Sequence, residues 1–126
     1  MEFSIPLNIT GIKSTRVDES LTADIIGSGN VKVFATPMMI ALMEAAALEA
    51  VEHFLPKGWT TVGIKVDVEH MRPTPMGGMV EASATLVKTE GRKLEFSVQA
   101  SDDSGLIGQG RHTRFIINRK KFAERL

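Results

Sequence analysis

The sequence has no cysteine, no net charge and no long apolar run. Each absence excludes something. Without cysteine there is no disulfide framework and no thiolate-ligated zinc site, and the chain suits a reducing compartment. Lysine plus arginine and aspartate plus glutamate stand at 15 each. A balanced chain has no basic footprint for nucleic acid and no polybasic stretch for a membrane surface. No apolar segment approaches the roughly 20 residues that a membrane-crossing helix needs. The start, Met1-Glu2-Phe3-Ser4-Ile5-Pro6, has neither a charged leader nor an apolar h-region, so no signal peptide is expected. A soluble cytoplasmic protein without nucleic-acid or membrane partners is the expectation. Repeats, low-complexity tracts and linkers are missing too. Residues 1–126 are therefore expected to be one domain, long enough to bury a single core.

What is present is one helix and a series of strands. Thr36-Pro37 is a good helix start, because the threonine oxygen can cap free N–H groups and proline suits the first turn. Residues 38–54 are rich in Ala, Leu, Met and Glu, all good helix formers, and Pro56 and Gly58 stop the run. After it, Val62, Ile64, Val66 and Val68 alternate with polar residues at strand period. Pro73-Thr74-Pro75-Met76-Gly77-Gly78 breaks that pattern. A second strand carries Val80, Ala82, Ala84 and Leu86 on one face, and a third carries Leu94, Phe96, Val98 and Ala100. A last long strand spans about residues 106–118, residues 9–17 form a weaker strand before the helix, and residues 120–126 suit a short helix. The order is strand, long helix, then an antiparallel meander of about four strands. The only element able to cover the apolar face of such a sheet is the helix. The expected fold is α+β: an antiparallel sheet of about five strands wrapped around one long central helix.

Two ionisable residues interrupt apolar patterns. At about 100° per residue, Glu44 falls within the arc of Ile40, Ala47, Leu48, Val51 and Leu55, while Glu49, Glu52 and His53 lie opposite. A carboxylate facing the core or a cleft is costly unless it is paired. His70 continues the register of Val62 to Val68 and points to the core side at the strand end. Thr36 stands about two turns before Glu44, at the positive end of the helix dipole, where free N–H donors could receive a carbonyl oxygen. Singly, each has a plain structural reading: a helix cap, a hydrogen-bonded buried carboxylate, a satisfied core histidine. Together, a hydroxyl, a carboxylate and an imidazole converging on one cleft are the parts of acyl transfer.

Other candidates are weaker. His53 reads as solvated and His112 as a lone strand histidine. Three scattered histidines offer no metal-ligand spacing. Gly77-Gly78 lacks the Lys-Ser/Thr of a phosphate loop. Arg111, Arg114, Arg119, Lys120 and Lys121 form a basic cluster that is either a solvated edge or a contact for phosphate groups. The methionines fill core gaps, and Met38 and Met39 could accommodate an acyl chain.

Phe34-Ala35-Thr36-Pro37, Glu44, Thr61-Val62-Gly63, Val68-Glu69-His70 and Pro73-Thr74-Pro75-Met76-Gly77 together resemble the fluoroacetyl-CoA-thioesterase-like branch of the hot-dog superfamily, over residues 31–115. The resemblance implies a hot-dog fold and a homodimer with sites near the interface. It implies an acyl-CoA substrate hydrolysed to carboxylate and free coenzyme A, with no further cofactor and no metal. It carries a catalytic trio onto Thr36, Glu44 and His70. It also brings a glycine backbone near the thioester to Gly63 and a strand arginine near the site to Arg114, and Met39 is placed with these as a substrate contact. One departure is visible. The family's phenylalanine-bearing lid corresponds here to Gly27-Ser28-Gly29-Asn30, so the thioester class carries over and fluoroacetate specificity does not. The competing functions are a hot-dog hydratase or dehydratase and a non-catalytic acyl-CoA-binding module.

Overall fold

The computed structural model describes residues 2–126. Strand β1 (Thr10–Arg16) is followed by a single 3-10 turn (Glu19–Leu21), the one-turn helix α1 (Ala23–Ile26) and the long helix α2 (Thr36–Glu52). Then come β2 (Trp59–His70), β3 (Met79–Glu90), β4 (Lys93–Asp102), β5 (Gly105–Asn118) and the short helix α3 (Arg119–Glu124). The five strands make one antiparallel sheet in the order β1-β3-β4-β5-β2. The sheet curls around α2, which is the hot-dog arrangement. No helix among the described residues is long and apolar enough to cross a membrane.

The alternation of the middle strands dictates the core. Val80, Ala82, Ala84 and Leu86 on β3, and Leu94, Phe96, Val98 and Ala100 on β4, are all buried. They meet Met39, Met43, Ala46, Ala47, Ala50 and Val51 of α2. Small residues let the helix lie close to the sheet. The extreme case is Gly11 on β1, where a Cβ would collide with the Ala46 carbonyl oxygen and lie 2.7 Å from Ala50 N.

Two expectations are corrected. The meander holds only for β3, β4 and β5; β2 lies at the far edge, beside β5. The segment of Pro73 and Pro75 carries the chain across to β3, which pairs with β1 on its other side. The second correction concerns the inward face of β2. A register shift between Gly63 and Lys65 places Ile64 in a bulge. A bulge inserts one unpaired residue and so reverses the side-chain phase. Gly63 pairs with Arg114 and Val66 with His112, two residues buried under the helix. The helix-facing set is therefore Thr61, Gly63, Val66, Val68 and His70, while Val62 pairs with the outward Phe115 and Ile64 is exposed.

Candidate active site

Thr36 and His70 meet. Thr36 Oγ1 lies 2.7 Å from His70 Nδ1. Thr36 is not the helix cap: the cap is Ala35, which has no side chain to bond, and Thr36 is the first helical residue. Its hydroxyl is thereby free to turn to the imidazole at the end of β2. The helix start offers fewer donors than the sequence suggested. The Met38 and Met39 N–H groups both bond to the Ala35 carbonyl, and Pro37 has no N–H. The pair borders a hollow of about 250 Å³, walled by Ser28, Val33 and Phe34 on one side and Met71, Arg72 and Pro73 on the other. Met39, expected from the sequence as a substrate contact, is fully buried and does not line this hollow; its sulfur packs against Gly108, which pairs with His70.

Burial pushes the His70 imidazole below its ordinary pKa, and the nearby Arg72 backbone opposes this only in part. A neutral imidazole is the form that accepts a proton. His70 Nε2 is buried with no hydrogen-bond partner among the described residues. The wall after His70 is clamped by Asp102. Its carboxylate accepts from Arg72 Nη2, Thr74 Oγ1 and Ser104 N, each at 2.8 Å.

Glu44 belongs to a different cluster. It lies beside the most buried stripe of α2 rather than at its centre, and its side chain is 39% exposed. The carboxylate fits against Gly63, where a Cβ would stand 2.6 Å from Glu44 Oε2. Arg114 Nη1 is 3.8 Å from the same oxygen. Arg114 is buried and fixed, donating from Nε to Thr61 Oγ1 at 2.8 Å and from Nη2 to the Thr61 carbonyl at 3.0 Å. Burial lowers its pKa, opposed by Glu44 and then Glu52. Within one chain, Gly63 and His70 stand seven residues apart on β2, roughly 23 Å at strand rise. A single chain thus joins Thr36 to His70, and Glu44 to Gly63 and Arg114, as two separate groups.

His112, read from the sequence as no more than a lone strand histidine, belongs to this cluster. It is buried against Phe96, donates from Nδ1 to the Lys65 carbonyl at 2.8 Å, and takes Arg114 Nη1 at 3.1 Å on Nε2. Burial is the largest cause of its lowered pKa. The bond to Lys65 works upward, the Arg114 charge downward and Glu44 upward. A neutral ring 3.9 Å from Glu44 is no ion-pair partner, so the cation facing that carboxylate is Arg114. The missed signal was strand period. His112, Arg114 and Ile116 share one face, and Ile116 is core. The same period turns Arg114 inward and Arg111 outward, and Arg119, Lys120 and Lys121 lie exposed in α3 beyond the strand.

Comparison with known proteins gives consistent matches. A model of the fluoroacetyl-CoA-specific thioesterase family matches residues 17–120. The fluoroacetyl-CoA thioesterase of Streptantibioticus cattleyicolor is 40% identical over 91 residues, which span 72% of this chain and 66% of that protein. The solved structure of a threonine-to-serine variant of a fluoroacetyl-CoA thioesterase, in complex with acetyl-CoA, superposes with a TM-score of 0.91 at 29% identity, covering 96% of each chain. A thioesterase superfamily member from Thermus thermophilus superposes at 0.89 with 30% identity, over 96% of this chain and 90% of the other.

Proposed function

The chain is a hot-dog thioesterase of the fluoroacetyl-CoA-specific family, and from that premise we propose that it hydrolyses a short acyl-CoA to carboxylate and free coenzyme A through Thr36, His70 and Glu44. The observation that carries this is the 2.7 Å contact between Thr36 Oγ1 and His70 Nδ1, the spacing of a nucleophile and its base. Thr36 Oγ attacks the thioester carbonyl while its proton passes to His70 Nδ1. The carbon–sulfur bond breaks and the coenzyme A sulfur takes that proton. Water, deprotonated by His70, then releases the acyl group from Thr36. In the two-copy arrangement described below, the backbone N–H of the partner's Gly63 donates to the thioester oxygen, and Arg114 holds Glu44 in place. Every step is proton transfer or acyl transfer, so the reaction calls for no cofactor, and coenzyme A is the leaving group. A cytoplasmic setting goes with an acyl-CoA substrate.

The site is shared between two copies in this reading. With Nδ1 accepting from Thr36, Nε2 carries the imidazole hydrogen, and it is the buried atom without a partner. β2 is an edge strand bearing the exposed apolar residues Ile64 and Val66, and an open edge favours pairing. Antiparallel pairing of β2 with a second β2 about Val66 and Asp67 puts Gly63 of one strand opposite His70 of the other. The partner's Glu44, held against its own Gly63, then accepts from His70 Nε2. A homodimer with two composite sites supplies the carboxylate that one chain keeps far from its own histidine.

The phenylalanine-free stretch at residues 27–30 supports short acyl groups in general over fluoroacetate in particular. The test is thiol release from short, branched, aromatic and halogenated acyl-CoAs by wild type and His70→Ala. Release that collapses in the variant, with unchanged circular dichroism, is expected. Absence of release from every thioester would transfer the chain to the hydratase or binding-module class. Equal release by the variant would remove His70 from the chemistry.

A further inference from the structure

A second hollow lies near the start of β2, where the β3–β4 turn, the end of β5 and α3 meet. It has a volume of about 260 Å³ and is lined chiefly by Trp59, Arg92, Phe115, Lys121, Phe122 and Arg125. Phe115 and Phe122 are 38% and 39% exposed, large apolar faces left open to water. Arg92 lies over the Trp59 ring, 5.0 Å from its centroid. None of Arg92, Lys121 and Arg125 has a carboxylate within ion-pair distance among the described residues, and no acidic side chain lines the hollow. Since the whole chain is neutral, this positive field is local. Open aromatic faces ringed by unpaired cations suit one class of ligand: a planar base that stacks and phosphates that meet arginine and lysine.

The geometry points to this hollow as the binding site for the adenosine 3′,5′-bisphosphate end of coenzyme A. The assignment rests on the thioesterase reading and extends it to the far end of the substrate. Position supports it. Trp59 has the same side-chain phase on β2 as Gly63, at the open edge of the sheet, while Phe115 lines the hollow from the outer face. Trp59 and Gly63 are four residues apart, roughly 13 Å at strand rise, a span that the extended pantetheine arm bridges. The thioester can lie at Gly63 while the nucleotide occupies the hollow. The cluster of basic residues visible in the sequence thereby divides its work: Arg114 turns inward to Glu44, and Lys121, with Arg92 and Arg125, faces the phosphates.

Two measurements on the full chain test this. The first is calorimetric binding of adenosine 3′,5′-bisphosphate to wild type and to the double variant Lys121→Glu, Arg125→Glu. Wild type is expected to bind, more weakly as salt rises, and the variant to lose at least about tenfold in affinity, since charge-assisted phosphate contacts are reversed. The second is kcat/KM for one acyl group carried on coenzyme A and on N-acetylcysteamine, which has no nucleotide. The variant is expected to lower the ratio of the two by about tenfold, the loss falling mainly in KM. Lack of bisphosphate binding by wild type overturns the assignment. So does a variant that keeps both the affinity and the ratio, or one that loses both substrates equally. Bisphosphate binding without thiol release from either thioester would instead leave the hollow assigned and remove the thioesterase reading.

Discussion

A threonine hydroxyl becomes a useful nucleophile only beside a base in the right protonation state. Burial supplies that state at His70, whose pKa is pushed down so that the imidazole is neutral at ordinary pH. Thr36→Ala is expected to lower kcat by about 10²–10⁴-fold, the range for losing a proton-transfer partner, whereas Thr36→Ser should keep most of the rate. A variant pair that loses equal activity would mean that the hydroxyl serves only the local fold. His112 has a consequence for stability. Its folded pKa is lowered from 6.5, chiefly by burial. Between the lowered value and 6.5 the unfolded chain binds more protons than the folded one, so stability rises with pH in that window and levels off above it. Urea midpoints taken from pH 5 to 8 should climb and then flatten near neutrality. His112→Gln should reduce the climb. A midpoint that falls with rising pH would contradict a buried neutral ring.

At the scale of elements, the helix, β3, β4 and β5 were legible because each carries one uninterrupted period. Thr36 was legible as a helix start but not as a free hydroxyl. The capping rule describes what a threonine there can do, and only the approach of β2 shows that His70 takes it instead. β2 was misread because its alternation of Val62, Ile64, Val66 and Val68 runs unbroken through a bulge that the residues do not announce. The bulge follows Gly63, whose missing side chain makes room for the Glu44 carboxylate. Gly63→Ala is accordingly expected to displace Glu44 and to cut kcat by at least about tenfold. Its stability cost should stay near the 1–3 kcal/mol usual for one added methyl in a packed site, read as a modest shift of the melting temperature. Full activity in that variant would show that Glu44 can leave Gly63 and still work.

For the whole molecule, the shared-site proposal makes Glu44 and His70, which are distant within one chain, neighbours across a two-fold pair about β2. Mixing His70→Ala with Glu44→Gln, each inactive alone, should restore activity. Statistical exchange of protomers leaves one intact site in each mixed dimer, about a quarter of the wild-type rate. The mixture is to be unfolded, refolded together and assayed for thiol release, with mass measured by light scattering. A dimeric mixture that stays inactive would confine each site to one chain and overturn the shared arrangement.

The residues by themselves determined an α+β fold, the central helix, the buried faces of β3 and β4, and the family to which Thr36, Glu44 and His70 point. Local period and a distinctive spacing suffice for these, because each is written within one element or along the order of elements. Only the tertiary structure decided that β2 crosses to the far edge, that His112 and Arg114 turn inward beside Glu44, and that Glu44 lies along β2 from its histidine. Those facts depend on which strand lies beside which and on where a ladder slips by one residue. Pairing and register are set by packing between segments far apart in the chain, and no window of sequence contains both partners.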